Sequence, residues 1–149
     1  MKGRPTLKEV LSKMQKFCAS RDRCHSEVRT KLIGMQVYGS DLEEILSQLI
    51  TDGFLNEERF AKNYARGKFR INRWGRNKII FGLRSKRIGD YNIDKGMQEI
   101  DAEEYIALLD TLIEKKLKGD TSFEARQKAI ESLQRKGFEF ELIMQRLKG

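Results

Sequence analysis

Six apolar or small positions recur three times along this chain, spaced by about fifty residues. Cys24, Val28, Leu32, Val37, Leu42 and Leu46, shifted by 51, fall on Gly75, Ile79, Leu83, Ile88, Ile93 and Met97; a further shift of 50 reaches Ala125, Ala129, Leu133, Phe138, Ile143 and Leu147. A fixed period of this length marks one supersecondary unit stacked on copies of itself. The first position is small in all three copies, which lets another backbone approach the start of the helix that carries it. Units of this size lie near the lower limit for burying an adequate core alone. Neighbouring units should therefore lean on one another, giving an elongated array that a small rotation per repeat would curve.

The local signals inside each unit are helical. Thr6-Leu7-Lys8-Glu9 reads as a capping box and places a first helix from about Leu7 to Ala19. Ser40-Asp41-Leu42-Glu43, Asp101-Ala102-Glu103-Glu104 and Thr121-Ser122-Phe123-Glu124 open three more. Asp22 is placed as the cap of the helix carrying Cys24, Val28 and Leu32. Asn56 caps one running through Phe60 and Tyr64 toward Phe69, and Asp90 caps one carrying Ile93 and Met97. A helix with Ile79, Ile80 and Leu83 is expected to begin at Asn72 or Arg73, and a last one near Phe140. Gly53 is a left-handed stop. A single proline and strong helix formers throughout agree with this pattern. The predicted fold is all-α: three tandem three-helix modules over 1–55, 56–101 and 102–149.

Charge singles out the middle module. Residues 59–89 hold eleven Lys or Arg and no Asp or Glu, and residues 56–101 carry twelve positive against six negative charges, so +6 of the total +8 sits there. The flanks are near neutral, nine against seven in 1–55 and nine against nine in 102–149. A charge run is often only a solvated helix face. Here acidic neighbours at i±4 are missing, so the repulsion looks uncompensated and binding of an anionic surface is the favoured reading. Arg66, Lys68, Arg70, Arg73, Arg76 and Lys78 cluster around one turn, and Arg84, Lys86 and Arg87 stand about 15 Å further along the next helix. Trp74 lies among them, expected in a helix's first turn. It could stack on a nucleobase, but an amphipathic cover over the turn is favoured, because Arg23 and Glu124 occupy its place in the other modules. Phe60, Tyr64, Phe69 and Phe81 are expected in the core.

Other function classes fit the sequence less well. There is no Gly-rich phosphate loop and no nucleophile motif, and the one histidine, His25, has no relay partner. Acidic pairs such as Glu43-Glu44, Glu57-Glu58 and Glu103-Glu104 sit in capping turns, where negative charge suits the helix dipole. Metal-dependent nuclease chemistry would need carboxylates beside the basic surface, and that stretch has none. Catalysis is not expected, nor any cofactor or metal. Cys18 and Cys24 read as reduced thiols, at least one of them packed. No run approaches the roughly 20 apolar residues of a membrane span, no signal segment is seen, and a cytoplasmic monomer without a membrane partner is expected.

Particular residues resemble a known family. Glu27-Val28-Arg29-Thr30-Lys31-Leu32 and the segment Leu49 to Ala61, with Gly53-Phe54-Leu55-Asn56 and Arg59-Phe60-Ala61, are similar to the RecX family of recombination regulators. So are Gly75-Arg76-Asn77-Lys78-Ile79, Leu83-Arg84-Ser85-Lys86 and Leu133-Gln134-Arg135-Lys136-Gly137-Phe138. The resemblance runs from about residue 18 to 147. Family members often carry aspartates where Asn56, Glu57 and Glu58 stand, and Lys-Gly-Ile where this chain has Lys86-Arg87-Ile88. The resemblance implies a non-enzymatic modulator that lies in the groove of the RecA–DNA filament and damps its extension, ATP hydrolysis and strand exchange. Its implied partners are the RecA filament and single-stranded DNA, with double-stranded DNA a further candidate. A plain helical DNA-binding protein that occludes nucleic acid is the alternative.

Overall fold

The structure, a computed structural model, describes residues 4–148, which form nine helices and no strand. In order they are α1 (Leu7–Ser20), α2 (His25–Gly34), α3 (Gly39–Thr51), α4 (Glu57–Arg70), α5 (Arg76–Ser85), α6 (Asp90–Met97), α7 (Ala102–Leu117), α8 (Phe123–Arg135) and α9 (Phe140–Lys148). Four begin on a side-chain cap. Thr6 accepts from the Glu9 amide at 3.2 Å, Asn56 from Arg59 at 2.9 Å, Asp101 from Glu104 at 3.0 Å and Ser122 from Ala125 at 3.2 Å. Each such cap is worth about 1 kcal/mol.

Helix α9 starts at Phe140 as expected, and the other four starts differ from expectation for local reasons. Asp22 does not cap α2; its carboxylate accepts from Asn63 at 2.8 Å, and Cys24 is the N-cap, its amide donating to Glu27 at 3.2 Å. Helix α3 starts one residue before Ser40, from Tyr38, and α6 from Gly89, so Asp90 is its first residue rather than its cap. Helix α5 starts at Arg76 rather than near Asn72, because Gly75 donates its amide across to the Lys136 carbonyl at 2.8 Å.

Each second helix ends in the same way. Gln36, Arg87 and Gly137 take left-handed φ values of 62°, 62° and 99°. The following amides, of Val37, Ile88 and Phe138, donate back to Leu32, Leu83 and Leu133 at 2.9, 3.1 and 3.0 Å. These are three Schellman closures. Arg87 thus adopts the backbone that a glycine would take there, and the departure at Lys86-Arg87-Ile88 leaves the turn intact.

The repeated positions form the interior. All are buried except Ala125 and Met97, which are half-buried. Apart from Gly75, Ala125 and Ala129, they belong to two cores rather than three. One joins Val10, Met14 and Cys18 of α1 to the apolar faces of α2 and α3, with Leu55 beneath. The second runs without a break from α4 to α9, through Phe60, Phe69, Ile79, Tyr105, Phe138 and Ile143, and Cys24 reaches into it from α2. The chain exposes 9724 Å², against about 7900 Å² for a compact monomer of 17.4 kDa. An elongated all-α array accounts for the excess.

Candidate functional site

The turn between α4 and α5 is built by backbone contacts. Arg73 has φ 57°, and the Trp74 amide donates to the Lys68 carbonyl at 3.0 Å. Gly75 then meets the last triple edge to edge. A Cβ there would lie 2.3 Å from the Gly137 carbonyl carbon, so only hydrogen fits. Trp74 precedes the helix rather than lying in its first turn; it is half-buried and packs on the shared core. The ammonium groups of Lys68 and Lys78 stand 4.8 and 4.5 Å from its ring centroid.

The basic run is not uncompensated. One acid does lie at i−4, Glu58, which pairs with Lys62 at 3.2 Å; the others come from parts of the chain beyond one helical turn. Arg66 pairs with Glu99, Arg70 with Glu104 at 3.9 Å, Arg84 with Asp90 at 4.0 Å and Lys86 with Glu27 at 4.0 Å. Arg76 has the most enclosed set: Glu139 at 2.8 Å, and the Tyr105 ring 3.8 Å beneath its guanidinium. The Tyr105 phenol accepts from the Arg76 amide at 3.0 Å and donates to Glu139. Burial first, and then that bond to Glu139, push the phenol far above its usual range. Arg76 is therefore a clamp between the middle and last triples. Among the described residues, Lys68, Arg73, Lys78 and Arg87 have no acidic partner within 4.0 Å, and Arg87 stands apart at the end of α5.

Three more cations gather at this seam. Lys136 is held below the usual lysine range by partial burial and then by the charges of Arg73, Lys116, Lys78 and Lys115. None of these five has an acidic partner within 4.0 Å among the described residues. Charge counting misses Lys115, Lys116 and Lys136 because the last third of the chain balances nine against nine. Phe81 also departs from expectation: it is 72% exposed, on the outer face of α5, whereas Phe60 and Phe69 are buried and Tyr64 is half-buried. Cys18 and Cys24 are buried free thiols. Among the described residues no group of three or more His, Cys, Asp or Glu is placed to hold a metal, and no helix is long and apolar enough to cross a membrane.

Fold and site together define a helical-repeat protein whose middle and last triples share a core beneath a cationic seam. Residues 56–97 match the family model described as RecX, second three-helix domain, and residues 103–147 match RecX, third three-helix domain, together more than half of the chain. The chain belongs to the RecX family. Proteins named Regulatory protein RecX from Bacillus velezensis and Prosthecochloris aestuarii are 30% and 27% identical over 140 and 142 residues. The match covers 92% of this chain and 53% of the Bacillus protein, and 94% and 92% for the Prosthecochloris protein. The chain thus spans about half the length of its Bacillus relative. The crystal structure of RecX from Lactobacillus salivarius superposes with a TM-score of 0.87 at 21% identity, covering 95% of this chain and 94% of that one. A second crystal structure, of regulatory protein RecX, gives 0.84 at 23%, covering 95% and 71%. At these identities the likeness is one of fold.

Proposed function

We propose that the chain is a non-enzymatic regulator of homologous recombination and DNA repair, which binds the RecA–single-stranded DNA filament and inhibits its extension, ATPase and strand exchange. The observation that carries this reading is the match of the family's second and third three-helix domains to α4–α9, the part of the chain that bears the cationic seam. An elongated array suits a helical groove, because weak contacts repeated along successive protomers add up without one strong site. The near-neutral α1–α3 triple meets protein, while the seam faces DNA.

The alternative, direct occlusion of DNA, draws on the placement of Trp74 between two lysines. Electron microscopy of growing RecA filaments separates the two. Filament regulation shortens filaments on DNA already coated with RecA, at amounts far below one copy per protomer. Occlusion requires enough protein to cover the free DNA and leaves preformed filaments at full length.

A further inference from the structure

We infer that the seam between the middle and last triples is a seat for the phosphodiester backbone of single-stranded nucleic acid, formed by Arg73 and Lys78 on one side and Lys115, Lys116 and Lys136 on the other, with Trp74 as the stacking surface beside it. This deepens the reading above by naming the ligand and extending the site into the last triple, and it requires no recombinase.

Four separate segments supply the five cations: the α4–α5 turn, the first turn of α5, the last turn of α7 and the C-cap of α8. The fold holds the two sides in register. The Gly75 amide bonds to the Lys136 carbonyl at 2.8 Å and the Asn77 amide to that of Gly137 at 2.9 Å, and a Cβ on Gly137 would sit 2.4 Å from the Lys78 Cβ. The other four charges add to the burial that holds Lys136 below its usual range, so these cations repel one another, whereas the chain supplies Arg66 and Arg76 with an acid each. Here it supplies none. A row of phosphates relieves the repulsion and releases counterions as it binds. Trp74 selects single strands: its ring offers a π-face to any unpaired base, and the two lysines over it can swing from ring to phosphate. An acidic protein surface would use the cations but not the exposed part of the Trp74 ring.

The test is a titration of a fluorescein-labelled oligothymidylate without recombinase, read by anisotropy over a range of salt and by the emission of Trp74, the single tryptophan. For Lys115→Gln/Lys116→Gln/Lys136→Gln, the slope of log affinity against log salt should fall by about 2, at about 0.7 for each phosphate no longer neutralised. The control Lys8→Gln/Lys13→Gln/Lys16→Gln removes the same charge from α1 and should leave the slope unchanged. Should the first variant fold poorly, Lys115→Gln/Lys116→Gln alters only exposed side chains and should lower the slope by about 1.4. Equal losses in the seam and control variants would reduce the effect to net charge and overturn the seat. So would an unchanged slope, or displacement by poly-glutamate as effective as by unlabelled oligothymidylate with no change in Trp74 emission. A failure to regulate RecA would leave this titration untouched, and failure of the titration would leave the filament reading standing.

Discussion

Gly75 and Gly137 meet backbone to backbone, and a side chain on Gly75 would lie 2.3 Å from the Gly137 carbonyl carbon. Gly75 is the middle copy of the small repeat position, so the repeat's first residue is where one triple docks on the next. Gly75→Ala should destabilise the protein by about 3 kcal/mol, the upper end for overpacking, because backbone rather than a flexible side chain must move. Gly34→Ala, with nothing within 4 Å, should instead gain up to about 1 kcal/mol. Denaturant midpoints check both, and similar midpoints for the two variants would contradict the docking contact.

Tyr105 is the second element of this interface. Tyr105→Phe keeps the ring but leaves the Arg76 amide and one Glu139 oxygen without their partner, at a cost of about 1–3 kcal/mol. Chemical denaturation measures it, and an unchanged midpoint would mean that the network contributes nothing.

The same phenol sets an alkaline limit. Its pKa is raised on folding, so the unfolded chain binds fewer protons than the folded one above the ordinary tyrosine value of 10.0. The stabilisation is therefore complete below pH 10.0 and is lost progressively as pH rises above it. Stability measured from neutral to alkaline pH should decline above that value, and Tyr105→Phe should flatten the decline. An identical pH profile for the variant would contradict this.

Gln36 carries the left-handed closure of α2 without a glycine. A left-handed residue costs about 1–2 kcal/mol, partly offset in a glycine variant by about 0.4–1 kcal/mol of added unfolded-chain entropy. Gln36→Gly should thus raise stability by roughly 0.5 kcal/mol, visible as a higher melting temperature. A lower one would show that the Gln36 side chain makes a contact outweighing the strain.

The apolar frame was legible because burial leaves a periodic mark: Leu32, Leu83 and Leu133 are interior in three equivalent places. Caps were legible where a side chain does the work, at Thr6, Asn56 and Asp101. The start of α5 was not, since Gly75 has no side chain and its amide is satisfied across the interface. Charge pairing was not legible from neighbours in sequence. Arg66 and Arg76 find acids 33 and 63 residues away, whereas Lys136 joins the seam from a part of the chain that looks neutral. Local sequence shows which residues are charged, but tertiary packing decides which charges remain unpaired.

That distinction bears on how the seam is mutated. Arg76→Glu should lower stability because it breaks the clamp, whereas Lys78→Glu should fold normally and weaken nucleic-acid binding. Circular dichroism melts beside oligonucleotide titrations separate the two, and equal melting losses would contradict the sorting by partner.

The proposed regulation of a RecA filament is tested most directly by titrating this protein into the single-stranded-DNA-dependent ATPase of its cognate RecA. The expected result is inhibition at far less than one copy per RecA protomer. Inhibition that needs one copy per protomer would contradict it.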